Sequence, residues 1–315
     1  MNCILGIDTS NYTTSVSLVD VQSGEVIVNM KRLLPVKEGE RGIRQNDAIF
    51  HHTTALPALI NEAFTDFEGK IVGVAVSEKP AEQEGSYMPC FLAGLNAAVA
   101  ASAALGVPLY KTSHQVGHML AAVYGAQMPS LLNRPFICFH VSGGTTDALF
   151  IQTDDNGSIR VERIAKSLDL KAGQAVDRIG VKLGYRFPAG KAMDELAQRS
   201  QKRFQQKAKL IGCDCSLSGL ENLALKKLDD GEKPEDTARF CFDYIANTLI
   251  AMSVKLKEQY GDLPLLFAGG VMSNSIIKER LTKELGACFS SPAFAADNAA
   301  GVALYGRIKW NNLTA

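Results

Sequence analysis

Two stretches of this chain follow the same order of short elements, and this duplication is the strongest constraint on the fold. In residues 3–19 an apolar strand runs into a polar hairpin and a second apolar strand, and residues 136–153 repeat that order. Repetition of one supersecondary unit predicts two related halves. The 315 residues also exceed the length at which a single core usually splits. We therefore predict an α/β protein with two duplicated lobes, residues 1–134 and 135–315, each with a mixed sheet flanked by helices.

The balance of charges limits how this chain binds nucleic acid. Lysines and arginines number 33, as do aspartates and glutamates, so no uniform positive field draws in a polyanion. Any RNA partner needs a local basic patch or a helper subunit. The richest stretch is residues 199–210, for which a solvated connector is the alternative interpretation. Its basic residues are Arg199, Lys202, Arg203, Lys207 and Lys209.

The N-terminus and the apolar runs predict a cytoplasmic protein. No basic region precedes a long apolar run at the N-terminus, where residues 3–8 are typical of a buried strand. The longest apolar run, Leu92 to Leu109, is interrupted by glycines and polar residues, so we predict a core helix and no membrane span. Seven cysteines without a Cys-x-x-Cys pair fit reduced thiols.

A histidine pair at helical spacing is the first candidate site. His114 and His118 are four residues apart, so on a helix both imidazoles face one side and can hold one cation. The pair follows a short predicted strand at 107–110, and ligands of open α/β sheets bind at the carboxyl ends of strands. Asp297 is the candidate third ligand. The alternative is that both histidines cap a helix and satisfy local hydrogen bonds.

The polar hairpin after the first strand offers groups for catalysis. Its hydroxyl and amide groups can surround phosphate oxygens with donors, while the strand-end Asp8 can hold a cation or its water. We take Asp8, Ser10 and Asn11 as the candidate catalytic residues. An ordinary polar hairpin loop is the alternative interpretation.

The second half contains turns that suit a nucleotide. Gly269 and Gly270 follow an apolar strand and let the backbone approach a ring or a phosphate, and Asn274 offers an amide to a base or a ribose. Asp177, which we expect near the start of a helix, can accept hydrogen bonds from ribose hydroxyls. A salt bridge on the helix surface is the alternative role for Asp177.

Eight segments, taken in order, resemble the universal tRNA threonylcarbamoyl-adenosine transferase family, formerly described as O-sialoglycoprotein endopeptidases. The resemblance covers nearly the whole chain and implies the actin-like ATPase fold shared by actin, sugar kinases and heat-shock chaperones. The segments are GIDTS at 6–10, His114 with His118, VSGGTT at 141–146, AGQAVDR at 172–178, FPAG at 187–190, SLSGL at 216–220, AGGVMSN at 268–274 and ADN at 296–298.

The resemblance implies a cofactor, a substrate and roles for particular residues. One divalent metal ion, iron or zinc, is implied with the ligands His114, His118 and Asp297. An adenine nucleotide or threonylcarbamoyl-adenylate is implied as ligand, with a phosphate loop and contacts at Ser142, Gly143, Gly144, Asp177, Gly190, Gly269, Gly270 and Asn274. The implied reaction moves a threonylcarbamoyl group from the adenylate to the exocyclic amine of an anticodon-adjacent adenosine in tRNA. The implied partners are tRNA, helper subunits and a related actin-like subunit in a homodimer or heterodimer.

Departures from the family pattern keep two alternatives open. Asn11-Tyr12-Thr13-Thr14 stands where the family usually shows Cys-Asp-Glu-Thr, and Glu78-Lys79-Pro80-Ala81 replaces a glycine-rich turn. The two missing acids are groups suited to proton removal, and general base catalysis contributes ~10²–10⁴ in rate. One alternative is a divergent paralogue that binds metal and nucleotide but carbamoylates another acceptor. The other is a non-catalytic partner subunit of a related transferase.

Overall fold

The structure is a computed structural model that describes residues 1–314 apart from residues 11, 36–42, 155–157 and 296–298. Contacts within the chain divide it into two compact units. The first unit comprises Met1–Gly125, Thr153–Val161 and Phe294–Ala315, and the second comprises Ala126–Gln152 and Glu162–Ala293. The C-terminal helix thus belongs to the first unit, whereas the division predicted after residue 134 assigns it to the second lobe.

The first unit contains a five-stranded mixed sheet in the order β3-β2-β1-β4-β5. Its strands are β1 (Asn2–Ser10), β2 (Thr13–Asp20), β3 (Val26–Leu33), β4 (Lys70–Lys79) and β5 (Leu109–Ser113). The first three strands form an antiparallel meander, whereas β4 runs parallel to β1 and β5 runs parallel to β4. Strand β1 is buried from its second residue onward because helices cover both faces of the sheet, which explains its continuous apolar run.

Four helices pack on this sheet. They are α1 (Gln45–Phe64), α2 (Phe91–Leu105), α3 (His114–Gly125) and the C-terminal helix (Ala300–Thr314). Helix α2 ends at Gly106, whose φ of 64° is the left-handed conformation that closes helices. The helix predicted within the apolar run Leu92 to Leu109 is therefore confirmed, although it ends before Gly106 and only Phe91, Ala93, Gly94 and Ala98 of α2 are buried. The short strand predicted at 107–110 is found as β5.

The C-terminal helix packs on α3 through two glycines. A Cβ atom at Gly301 would lie 1.7 Å from the carbonyl oxygen of Gly117, and a Cβ atom at Gly117 would lie 2.9 Å from Val302 Cγ2. Only glycine permits backbones to approach this closely. A Cβ atom at Gly6 of β1 would likewise lie 2.7 Å from the carbonyl oxygen of Ala299. These close approaches explain why the last helix joins the first unit.

The second five-stranded sheet has the order β12-β11-β6-β7-β8. Its strands are β6 (Phe136–Val141), β7 (Thr146–Thr153), β8 (Ile159–Lys166), β11 (Leu265–Ala268) and β12 (Cys288–Phe289). A separate two-stranded sheet is formed by β9 (Leu210–Ile211) and β10 (Asp214–Cys215). Strand β6 is antiparallel to β7 and parallel to β11, which is parallel to β12. This connectivity repeats that of the first sheet, so the predicted duplication is confirmed.

The remaining helices surround the second core. They are α4 (Ala172–Lys182), α5 (Gly190–Ala197), α6 (Ser218–Asp229), α7 (Pro234–Tyr260), α8 (Ser275–Leu285) and α9 (Pro292–Ala295), with 3-10 helices at Pro129–Asn133 and Gly270–Ser273. Helix α7 begins with proline followed by two acids, residues that favour a helix start, and every residue from Phe240 to Ala246 is buried. None of the helices in the described parts of the chain combines the length and the apolar character needed to cross a membrane.

Candidate active site

Asp8 lies near the end of β1, is fully buried and is held by two side chains. The Ser77 hydroxyl donates a hydrogen bond to Asp8 Oδ1. His114 Nδ1 lies 3.1 Å from both carboxylate oxygens of Asp8. The contact with Ser77 follows from the parallel register of β1 and β4, which pairs Ile7 with Val76 and so brings the next residue of each strand together. The carboxylate therefore sits where β1, β4 and α3 meet.

The histidine pair lies on the first turns of α3. His114 is the first residue of the helix, and its ring centroid lies 4.3 Å from that of His118 with the rings at 74°. An ionised carboxylate only accepts hydrogen bonds, so the contact with Asp8 assigns the proton of a neutral His114 ring to Nδ1. Nε2 is then the nitrogen that a metal ion would take. A carboxylate behind the ring is the usual second contact of a metal-binding histidine.

The two imidazoles of α3 are of a kind that binds metal ions. Within the described parts of the chain, no three His, Cys, Asp or Glu side chains are grouped for metal binding. The predicted third ligand, Asp297, lies in residues 296–298, outside the described residues. The donor set nevertheless fits, because imidazoles are ligands that iron and zinc accept, and that of His114 is oriented by a buried carboxylate.

Ser10 is the last residue of β1, two residues after Asp8. The Ser10 hydroxyl is buried and has no hydrogen-bond partner among the residues that the structure describes. The side chains of Asp8 and Ser10 point to the same face of β1, because strand side chains alternate. Asn11, the third candidate catalytic residue, lies outside the described residues. An unpartnered buried hydroxyl costs ~1–3 kcal/mol, so the Ser10 group calls for a functional explanation.

His52 of α1 supports the same hairpin from the opposite face of the sheet. Its Nδ1 lies 2.8 Å from Thr14 Oγ1, and Thr14 pairs with Thr9 on the face away from Asp8. Burial lowers the pKa of His52 to about 4, and the nearby charge of Asp8 offsets only part of this effect. The ring is therefore neutral at neutral pH. Spacing alone did not distinguish this buried histidine from the partly exposed His51 before it.

The second unit contains a cavity of about 520 Å³. Five of the eight residues predicted to contact a nucleotide line it, namely Gly143, Asp177, Gly190, Gly270 and Asn274. The other three, Ser142, Gly144 and Gly269, are not on its wall. The volume lies within the ~300–1,000 Å³ of small-molecule sites. The cavity is thus large enough for a nucleotide, and it gathers residues from five separate parts of the sequence.

The three predicted residues outside the wall shape the turns beside it. Ser142 Oγ accepts hydrogen bonds from the N–H groups of Gly144 and Thr145 at 3.3 and 3.1 Å, which closes the hairpin turn. Gly269 has a φ of 102°, and a Cβ atom there would lie 2.3 Å from the Val141 carbonyl oxygen. Only glycine fits this position. These residues therefore act on the cavity through the backbone.

Asp177 and Asn274 hold local structure as well as lining the cavity. Asp177 lies in the middle of α4 and not near its start as predicted, because the helix already begins at Ala172, whose N–H bonds to Thr146 Oγ1. Asp177 Oδ1 accepts the N–H of Ala189 at 2.8 Å, which fixes the turn before Gly190. Asn274 Oδ1 accepts the Ile277 N–H at 2.9 Å and caps α8.

Three residues of the cavity wall lie outside the segments that carry the family resemblance, namely Lys191, Asp194 and Phe242. Asp194 lies four residues after Gly190 on α5, so helical spacing was a signal that could have found it. Its Oδ1 accepts a hydrogen bond from Asn274 Nδ2 at 2.8 Å. Phe242 is one of several buried aromatic residues of α7, and no local pattern separates it from the others. Only the packing of α7 beside the cavity assigns it to the wall.

Comparison with known proteins agrees with the resemblance found in the sequence. The sequence profile of the TsaD family, tRNA N6-adenosine threonylcarbamoyltransferase, matches residues 24–304. The tRNA N6-adenosine threonylcarbamoyltransferase of Bacillus licheniformis is 27% identical over 97% of this chain and 91% of its own length. The protein of the same name from Carboxydothermus hydrogenoformans is 29% identical over 96% of this chain and 91% of its own.

Solved structures with similar folds carry little sequence identity. HypF from T. kodakarensis superposes with a TM-score of 0.62 at 13% identity, over 98% of this chain and 48% of its own. Component A of the Acidaminococcus fermentans (R)-2-hydroxyglutaryl-CoA dehydratase superposes with a TM-score of 0.54 at 16% identity, over 98% and 99%. These likenesses show the fold alone, and they confirm the predicted actin-like ATPase fold. Because the family profile spans most of the sequence, the chain belongs to the tRNA N6-adenosine threonylcarbamoyltransferases, a family of acyltransferases.

Proposed function

We propose that this protein moves a threonylcarbamoyl group from an adenylate donor to the N6 amine of a tRNA adenosine, with the aid of one divalent metal ion. The observation that carries the proposal is the contact between His114 and the buried Asp8, beside His118 on the same helix. Membership of the family supports acyl transfer to tRNA. The donor and the metal are inferred from the residues of the two sites.

The metal would be held by His114, His118 and Asp297. Bound there, it would polarise a carbonyl or phosphoryl oxygen as a Lewis acid. Asp8 orients the His114 ring, and Ser77 in turn orients Asp8. This chain of contacts fixes the ring before the metal binds, and loss of such outer contacts typically weakens metal affinity ~10–100-fold.

The adenylate would occupy the cavity of the second unit. A Cβ atom at Gly143 or Gly270 would meet nothing within 4 Å, so the backbone at both positions is open to a ligand. Phosphate oxygens would approach these positions, and Lys191 would supply a cation. Asp177 and Asn274 would lie along the ribose and the base.

The transfer forms one bond and breaks one bond at the carbamoyl carbon. The adenosine N6 lone pair forms a C–N bond, the C–O bond to phosphate breaks, AMP leaves with that electron pair, and the amine gives up one proton. Negative charge develops on the carbonyl oxygen during attack. A hydrogen-bond donor aimed at that oxygen would stabilise this charge, and removal of one such donor typically costs ~10²–10³ in rate.

The test incubates the purified protein with threonylcarbamoyl-adenylate, unmodified tRNA and candidate helper proteins. Mass spectrometry of digested tRNA then measures the modified nucleoside, and elemental analysis measures bound metal. We expect product with the wild type, loss of both product and metal in His114→Ala, and no change in the control His51→Ala. No modified nucleoside from the wild type under these conditions would refute the proposal.

Two alternatives and three accompanying predictions stand beside this proposal. Transfer to a different acceptor and a non-catalytic partner role are not favoured, because the relatives described above are named as tRNA transferases. Helper subunits, a dimer with a related actin-like subunit and a cytoplasmic location stay predictions.

A further inference from the structure

Two adjoining hollows lie on the second unit between residues 203–208 and helices α7 and α8. The first has a volume of about 270 Å³ and the second about 370 Å³. Both have Arg280 and Glu284 on their walls, so together they form one groove. The other residues that matter here are Arg203, Arg239, Glu279 and Lys283 in the first hollow and Gln205, Gln206, Lys207 and Asn247 in the second. None of these residues lines the cavity assigned to the adenylate.

Asp243 organises the first hollow from behind its wall. This residue is 1% exposed, and its Oδ2 accepts hydrogen bonds from Arg239 Nε and the Phe204 N–H, both at 3.0 Å. Arg280 Nη1 lies 3.5 Å from Oδ1 of the same carboxylate. Two guanidinium groups are thus fixed on one wall by a single buried acid. Because these contacts already order the two long side chains, a bound anion does not have to overcome the entropy lost on ordering them.

Asn247, also on α7, orders the second hollow. Its Nδ2 donates hydrogen bonds to the carbonyl oxygens of Phe204 and Gln206, at 3.2 and 2.9 Å. Residues 203–208 have no regular secondary structure and are held along α7 by these contacts and by Asp243. Side chains from this segment are therefore presented beside the helix surface at set positions.

The groove carries an excess of positive charge. Among the described residues, the side chains of Arg203, Lys207 and Lys283 form no ion pair or hydrogen bond. Five cations stand against three acids, since Arg203, Lys207, Arg239, Arg280 and Lys283 face Glu279, Glu284 and the buried Asp243. Five minus three leaves two charges uncompensated. By contrast Lys202, which the sequence placed in the same basic stretch, pairs with Glu232 and Asp236.

The shape of the groove favours a chain of phosphates over a single anion. Unpaired cations stand in both hollows, with Arg203 and Lys283 in one and Lys207 in the other, and the amides of Gln205 and Gln206 accompany Lys207. Cations and amides spaced along a groove suit successive phosphodiesters. The chain as a whole has no net charge, so RNA binding requires such a local patch.

We propose that this groove binds the phosphate backbone of RNA, which under the function proposed above is the tRNA substrate. The test measures binding of a labelled, unmodified tRNA transcript to the full chain over a range of salt concentrations. The variant Arg203→Gln/Lys283→Gln removes two exposed cations that form no ion pair or hydrogen bond with the described residues. The matched control, Arg134→Gln/Lys182→Gln, removes two exposed cations from elsewhere in the same unit.

We expect the groove variant to bind tRNA on the order of tenfold more weakly, and the slope of log affinity against log salt to fall by about one per lost phosphate contact. The control should bind like the wild type. Equal affinity and salt slope for the groove variant and the wild type would overturn the inference, as would tighter binding of polyglutamate than of tRNA. Groove-dependent binding without threonylcarbamoyl transfer would support this inference and overturn the proposed function instead.

Discussion

Replacement of Gly301 by alanine is expected to destabilise the first unit. The new Cβ atom would lie 1.7 Å from the Gly117 carbonyl oxygen, whereas real Cβ atoms stay at least 3.0 Å from such atoms. The C-terminal helix and α3 must therefore separate by about 1.3 Å, the difference between these distances. Alanine recovers up to ~1 kcal/mol of helix propensity over glycine, but overpacking costs ~1–3 kcal/mol and occasionally more. For so short a contact we expect a net loss of ~2 kcal/mol or more.

The same substitution should also reduce catalysis. Helix α3 carries His114, whose contact with Asp8 is 3.1 Å, and a displacement of about 1.3 Å would lengthen it beyond hydrogen-bonding distance. A misplacement of ~1 Å in an active site can cost ~10² in rate. We therefore expect Gly301→Ala to lose activity at temperatures where the protein is still folded.

The chain provides its own probe for this experiment. Trp310 is the single tryptophan and lies in the C-terminal helix, so its fluorescence follows unfolding of the first unit in urea. Gly117→Ala, whose new Cβ atom would lie 2.9 Å from a side-chain carbon and 3.6 Å from the nearest backbone atom, should lose less stability than Gly301→Ala. Gly219→Ala on α6 meets nothing within 4 Å and should leave the circular dichroism melt unchanged or raised. A urea midpoint for Gly301→Ala at or above that of the wild type would refute the reasoning.

Two further predictions concern the second unit and the buried histidine. Gly269→Ala should cost ~2 kcal/mol or more, because its φ is 102° and a Cβ atom would lie 2.3 Å from the Val141 carbonyl oxygen; equal urea midpoints for Gly269→Ala and the unhindered Gly270→Ala would contradict this. Burial lowers the pKa of His52 from 6.5 to about 4. As the pH falls, the unfolded chain therefore binds a proton at this ring before the folded chain does. The stability that the neutral ring provides is complete above pH 6.5 and is lost as the pH falls toward 4. The expected loss of unfolding free energy is on the order of 3 kcal/mol. His52→Gln should flatten this part of the curve of unfolding free energy against pH. An unchanged curve in this variant would contradict the lowered pKa of His52.

Much of the fold was predictable because its signals are local. The continuous apolar runs of β1 and β6 and the polar hairpins after them are short-range patterns, and their repetition predicted two related sheets. The end of α2 was predicted less well. The apolar run continues past Gly106, and only the left-handed backbone at that residue separates the helix from β5.

The candidate site was predicted only in part. Helical spacing placed His114 and His118 on one face, but the partner of His114 lies 106 residues earlier at Asp8. The contact of Asp8 with Ser77 depends on the parallel register of β1 and β4, which no spacing reveals. The same holds for Phe242, since a buried aromatic residue of a long helix gives no sign of the cavity that it faces.

The sequence by itself determined the class of fold, the family and the presence of two histidines on one helical face, because periodicity and the order of motifs are written along the chain. Tertiary structure alone decided which carboxylate orients His114, which helix completes the first unit and which cations of the basic stretch stay unpaired. Arg203 and Lys202 are adjacent and both positively charged, yet Lys202 meets Glu232 and Asp236 while Arg203 faces a groove. The reason is that such contacts join residues distant in sequence, and only the path of the folded chain brings them together.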